Sequence, residues 1–220
     1  MSKEQKRSPL NRAKVLEAAV QLADEIGIES FTIRKLADKL GVGAMSIYHH
    51  VPSKEEIIDG MVEIVFGEIE KPPNDVDWKT AIRRRCISAR EVLNRHRWAP
   101  PLMESRTAPG PSNLSHHDAV VGCLRNGGLS IQMTAHAYAI LDSFLYGIAF
   151  QEANLPAPGS GEEFAAIAEQ ITAHFPTDSY PHLAELTFEH VLKPGYSFAD
   201  SFEFGLDLII DGIDRAARAD

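Results

Sequence analysis

At 220 residues, 44% hydrophobic and 24% charged, the chain has the balance of a globular protein with one or two domains, which excludes a wholly disordered chain or a fibrous repeat. Its two cysteines, Cys86 and Cys123, are too few and too far apart for a disulfide framework or a Cys-x-x-Cys metal site. The net charge of −9 argues at first sight against a nucleic-acid partner, but residues 1–54 carry nine Lys and Arg against six Asp and Glu, and residues 55–220 thirteen against twenty-five.

The opening MSKEQKRSPLNR is polar and basic and leads into no apolar run, so no signal peptide is expected. With reduced, buried thiols this predicts a cytoplasmic protein. Val15, Ala18, Ala19, Leu22 and Ile26 repeat at three and four and predict a helix over 11–26 that Gly27 stops. Thr32 can cap a short helix over 33–39, ended by Gly41, and a second short helix is expected over 43–49. Ser53-Lys54-Glu55-Glu56 is a capping box opening a longer helix through Ile57, Met61, Val65 and Ile69.

Lys71-Pro72-Pro73-Asn74 breaks the pattern and is the expected boundary between a head, residues 1–70, and a body, residues 71–220. Trp78, Ile82, Cys86, Ala89 and Leu93 mark the first body helix, and four prolines confine 99–112 to a short helix and loop. Helices are expected near 113–126 and 130–153, the second containing the most apolar stretch, Ile131 to Phe150. Gln132, Thr134, His136, Asp142 and Ser143 interrupt that stretch, which favours a buried helix over a membrane span. LPAPGSG, 155–161, reads as a loop before helices at 162–174, 182–192 and 198–217, the last carrying Phe198, Phe202, Leu206, Ile209 and Ile213 on one face. Strand signals are scarce, so the expected fold is all-α with nine or ten helices.

Two short helices joined by a tight glycine turn have the dimensions of a helix-turn-helix. Leu36, Ala37 and Val42 would pack the pair, leaving the second helix with only Ile47 inward. Its other residues are small, hydroxyl-bearing, aromatic or histidine, types that reach base edges and phosphates. Arg34, Lys35 and Lys54 flank it with cations.

Gly27, Phe31, Thr32, Arg34, Leu36, Ala37, Leu40, Gly41, Val42, Ser46, Tyr48, His50, Ser53 and Lys54 fall in register without a gap on the pattern of one family. Over residues 10–62 the chain resembles the N-terminal domain of the TetR family of bacterial transcriptional repressors. The resemblance implies a three-helix head whose 43–49 helix enters the major groove of a double-stranded DNA operator. It assigns DNA contact to Thr32, Arg34, Ser46, Tyr48, His50 and Lys54, most of them to phosphate, while Ala44 and Met45 could offer only apolar contact to a base. Asp77-Trp78, Gly128-Leu129-Ser130, Tyr146-Gly147 and Phe204-Gly205-Leu206 extend a weaker, gapped resemblance to the tetracycline-repressor branch. It implies a helical body for ligand binding and dimerisation, with the wide apolar faces of 131–150 and 198–213 pairing across a homodimer.

His96, Trp98, Met103, Cys123, His136, Tyr138 and Asp142 then fall on the helices that enclose an effector cavity in relatives. Tetracycline repressors hold a magnesium chelate with a histidine after the long body helix and a glutamate from the apolar helix of the other subunit. Here Met103 or Glu104 stands at the first position and Gln151, beside Glu152, at the second, which argues against a tetracycline sensor and for a metal-free apolar or aromatic effector. His116-His117-Asp118 reads as a solvated helix start, because adjacent helical histidines point about 100° apart. No Gly-x-Ser-x-Gly elbow, His-Glu-x-x-His or P-loop appears, so neither an enzyme nor a cofactor is expected. The rival reading is an all-α ligand-sequestering module or enzyme with a vestigial head.

Overall fold

The computed structural model describes residues 9–106, 109–155, 162–173, 175–193 and 195–219. Most of the loop expected at 155–161 lies outside the described residues. Every regular element within them is helical, as expected, and they hold eleven α-helices where the sequence suggests nine or ten. In the head, α1 spans Arg12–Ile26, α2 Ile33–Leu40, α3 Ala44–Tyr48 and α4 Lys54–Glu68. In the body, α5 spans Trp78–Arg95, α6 Ala99–Ser105, α7 Pro111–Asn126, α8 Ile131–Ala153, α9 Glu162–Thr172, α10 Pro181–Leu186 and α11 Asp200–Ala217. The single helix expected over 182–192 begins one residue early, on a proline that needs no N–H partner, and loosens into a π-helical turn over Thr187–Val191. The last helix starts at Asp200, so Phe198 lies before it.

Local chemistry sets most of these boundaries. Asn11, Thr32, Ser53, Asp77 and Ser130 each accept a backbone N–H of the first turn they precede, a cap worth about 1 kcal/mol. Gly41 takes the left-handed conformation, φ 67°, that closes α2 and turns the chain into α3, with Val42 N–H returning to Ala37 O at 3.1 Å. A Cβ on Gly60 would sit 2.6 Å from Leu16 Cδ1, so a larger residue there would have to displace the Leu16 side chain from between α1 and α4.

The hydrophobic core runs unbroken from head to body. Val15, Leu36, Ile47, Val51, Ile57 and Met61 close the head, and Val65, Phe66, Ile82, Leu93, Leu124 and Leu145 continue it. Helix α4 belongs to both halves, packing on α1 and on α7. Its Glu63 carboxylate accepts the N–H groups of Ser112 (2.7 Å) and Asn113 (3.2 Å), capping α7 from another helix, and its Asp59 takes Arg106 at 2.9 Å.

Helix α8 packs on α5, α7 and α11. Phe202, Leu206, Ile210 and Ile213 bury one face of α11, while Lys79, Arg83 and Arg90 pair with Asp214, with Glu203 and Asp207, and with Glu152. The opposite face of α11 leaves Phe204 and Leu208 exposed at 69% and 55%, and α8 leaves Ile131, Ile140 and Phe150 exposed. Among the described residues no helix is long and apolar enough to cross a membrane.

Candidate functional site

Two surfaces carry the expected chemistry. On the head, burial of Leu36, Ala37 and Ile47 turns the remaining sides of α2 and α3 outward. Thr32, Arg34, Ala44, Met45 and Lys54 are exposed, and Ser46, Tyr48 and His50 half-buried. Met45 is 70% exposed, which no core requirement of the chain explains. Thr32 Oγ1 accepts the Lys35 N–H at 3.2 Å, leaving its own O–H free to donate. Lys54, the first residue of α4, holds its Nζ 6.0 Å above the Phe31 ring. The eight residues assigned to DNA therefore come from three short stretches of chain: the start of α2, α3 with its following turn, and the start of α4.

In the body, a crevice of about 510 Å³ opens between α6, α7 and α8, lined by Met103, Glu104, Arg106, Pro109, Asn113, His117, Tyr138, Ala139, Asp142, Ser143 and Tyr146. Its volume suits a drug-sized molecule. Behind it lies a buried network centred on Arg85, whose side chain is 1% exposed. Arg85 Nη1 reaches Asp142 Oδ1 at 3.2 Å, and Arg85 Nε donates to His116 Nε2 at 3.0 Å. That bond fixes the His116 proton on Nδ1, which has no partner. Burial and the charge of Arg85 push the His116 pKa down to about 3, so the ring is neutral. Burial also lowers His117, whose Nδ1 meets the Tyr138 hydroxyl. Tyr138 and Tyr146 are raised by burial and then by the charge of Asp142, so both remain hydroxyl donors.

The histidine pair is thus no solvated helix start. His116 and Val120 and Leu124 follow at intervals of four on the buried stripe of α7, and His116 itself is 1% exposed. The two rings diverge as helical geometry requires, one to Arg85 and the other to Tyr138.

Of the residues assigned to a ligand, Met103, Tyr138 and Asp142 meet in this crevice. His96 and Trp98 lie elsewhere, at the junction of head and body. His96 Nδ1 faces Asp24 at 2.8 Å, His96 Nε2 faces Glu68 at 3.1 Å, and Trp98 Nε1 donates to Asp24 at 2.6 Å. Burial opposes it, but hydrogen bonds from Arg95 and His96 hold the Glu68 pKa below the ordinary carboxylate value. Cys123 is half-buried with its Sγ 3.9 Å from Trp78 O, and His136 is exposed. Gln151 is exposed, while Glu152 is buried and engaged by both Nε and Nη2 of Arg90. Arg85, Glu104, Asn113, His117 and Tyr146 complete the site. Arg85 has a sequence signal, lying three residues after Ile82 and four before Ala89 on the apolar stripe of α5.

Comparison with known proteins matches residues 15–61 to the family described as bacterial regulatory proteins, tetR family, and residues 71–217 to the tetracyclin repressor-like C-terminal domain. The HTH-type transcriptional repressor DrrR1 of Streptomyces coeruleorubidus is 32% identical over 212 residues, covering 91% of this chain and 76% of that protein. The class C tetracycline repressor protein of Escherichia coli is 26% identical, covering 93% and 91%. ActR of Streptomyces coelicolor, solved in complex with actinorhodin, superposes with a TM-score of 0.77 at 26% identity, covering 96% and 98%.

Proposed function

The chain belongs to the tetR family of bacterial regulatory proteins, and from that premise we propose that it is a ligand-responsive transcriptional repressor. It binds a palindromic operator as a homodimer and is released by a small hydrophobic or aromatic effector. Residues 1–70 form the DNA-binding head and 71–220 the ligand-binding and dimerisation body. The observation that carries the reading is the outward face of α2, α3 and the start of α4, where exposed Arg34 and Lys54 flank a recognition helix that exposes Met45 and buries one residue, Ile47. A two-fold dimer formed by α8 and α11 would set two such helices on successive turns of one DNA face. The actinorhodin complex of ActR supports a small-molecule effector.

The coupling runs through α4. A guest between α6, α7 and α8 bears on helices that Glu63 and Asp59 tie to α4, and α4 carries Lys54 at its other end. A few kcal/mol of differential affinity between two α4 positions is enough to shift operator occupancy. Mapping protected DNA beside the gene tests the reading: a palindromic site, retarded in gels and released by a small molecule, is expected. Absence of any protected site sinks it.

Lys54→Ala should weaken operator and non-operator DNA alike and reduce the salt slope of binding by about one, as measured from affinity against salt concentration. An unchanged slope removes Lys54 from the interface. Substitutions at Ala44 and Met45 should instead alter the selected sequence in a randomised-site selection, and variants that select the parental site defeat that assignment.

Tetracycline with magnesium should leave the protein–DNA complex intact. The histidine position falls on Met103, a thioether where magnesium wants hard oxygen, or on its neighbour Glu104, while the glutamate position falls on Gln151, which is no carboxylate, beside Glu152, which is committed to Arg90. Micromolar, magnesium-dependent release measured by fluorescence anisotropy of labelled operator would overturn it.

A further inference from the structure

The chemistry of the effector can be read from the hydrogen-bonding groups that the crevice leaves unmet, an inference that rests on the ligand-responsive reading above. The charges of the crevice are already paired or wet. Arg85 holds Asp142 at 3.2 Å, and Arg106 holds Asp59 of α4 through Nη1 at 2.9 Å. Glu104 lines the crevice but is exposed to water. The interior therefore asks for neither a cation nor an anion. What it lacks is an acceptor. Arg106 Nε is shut off from water and has no hydrogen-bond partner, so its N–H is an unmet donor on a lining residue. Among the described residues the Tyr146 hydroxyl, also in the lining, makes no hydrogen bond, and burial and then the charge of Asp142 keep it protonated. The Tyr138 hydroxyl, by contrast, is engaged by His117 Nδ1.

We propose that the crevice takes a neutral aromatic ketone, its carbonyl oxygen accepting the Arg106 Nε–H and its rings lying against Met103 and Tyr138. A buried N–H without an acceptor is costly, and a guest that supplies one removes that cost on binding. The Arg106 side chain is 26% exposed, so the guanidinium has room to present Nε to a guest while Nη1 stays on Asp59. A carbonyl oxygen brings two lone pairs and no net charge. It satisfies the donor, leaves a lone pair for Tyr146, and meets no repulsion from Glu104. Buried Met103 and the Tyr138 ring supply apolar walls, so one polar contact is left to fix the orientation. A hydrocarbon of the same shape would leave the donor unmet, which makes the carbonyl the group that is selected. One guanidinium would then hold both the guest and Asp59, and through Asp59 the helix that carries Lys54.

Three probes with the same pair of phenyl rings test the proposal by equilibrium dialysis against the full-length protein, free of DNA: benzophenone, diphenylmethane and diphenylacetate. The first is a neutral ketone, the second a hydrocarbon and the third an anion at neutral pH. Benzophenone is expected to bind more tightly than diphenylacetate. Arg106→Lys keeps a point charge for Asp59 and removes the Nε donor. It should weaken benzophenone about tenfold, the size of one hydrogen bond to a charged donor, and leave diphenylmethane unchanged. Asp59→Asn removes the ion pair and spares the donor, so benzophenone should keep its affinity. The infrared carbonyl stretch of bound benzophenone should lie at lower frequency in the parent than in Arg106→Lys. Tighter binding of diphenylacetate, no measurable binding of benzophenone, or an unchanged benzophenone affinity in Arg106→Lys overturns the proposal. So does a loss that diphenylmethane shares, an equal loss in Asp59→Asn, or a carbonyl stretch that Arg106→Lys does not move. Operator protection measured on the same preparation keeps the two readings apart. A protein that protects DNA but fails the ketone test loses only the ketone. A protein that passes it and protects no DNA supports the ketone and loses only the regulator.

Discussion

Arg85→Met is expected to destabilise the protein by about 3 kcal/mol, because it strands a half-buried carboxylate and a buried histidine acceptor. Arg85 is 1% exposed and Asp142 14%, so water screens their 3.2 Å contact little. Removing the guanidinium leaves Asp142 short of its counter-charge, and His116 Nε2 loses its donor as well. The pair as a whole carries much less net stability than this number suggests, since both charges were desolvated to form it. Arg85→Met with Asp142→Leu should therefore recover most of what either single change loses. Urea unfolding of the four proteins at one fixed protein concentration gives the cycle, a control that the proposed dimerisation requires because it would make the midpoint depend on concentration. Additive losses in the double variant would show that the two side chains do not act as a pair.

In the homodimer proposed above, Phe204→Glu with Leu208→Glu should give a soluble, helical monomer, because like charges one helical turn apart cannot pair with each other. Both side chains are exposed on the outer face of α11, away from Phe202, Leu206, Ile210 and Ile213, so the protomer core is untouched. Two charges in a dimer interface would face desolvation without partners. Sedimentation should report half the parental mass, and operator affinity should fall by about a hundredfold or more, because two half-sites are then bound independently. Truncation before Phe198 is a harsher form of the same test. It uncovers the apolar partner faces on α5 and α8, and the product should aggregate as well as fail to dimerise. A stable dimer in the double variant, or a soluble truncated monomer with full operator affinity, sinks this assignment of the interface.

The elements legible in the sequence are those whose causes are local. A serine or threonine that caps, a glycine that must turn left-handed at Gly41, and apolar spacing along α1, α4 and α5 each act within a few residues, so they are readable from the order of residues. The head also offered its chemistry directly. A five-residue helix with one inward residue leaves little doubt about which side chains face out. The site in the body is different in kind. Periodicity assigns a residue to a stripe but does not say which helix that stripe meets. His96 and Trp98, expected on helices enclosing an effector cavity, stand in the turn between α5 and α6 and fold onto Asp24 and Glu68 of the head instead of the crevice.

The all-helical fold, the helix-turn-helix surface and the composition of the buried stripes are legible in the order of residues, because hydrogen bonds and side-chain spacing within one helix suffice for each. Only the packing of the helices makes Arg85 bridge His116 and Asp142 and makes Glu63 cap α7 from α4. Those arrangements depend on the mutual rotation and rise of helices far apart in the chain. That packing is set by the fit of several apolar faces at once, and a polar group buried there takes whatever partner the fit delivers.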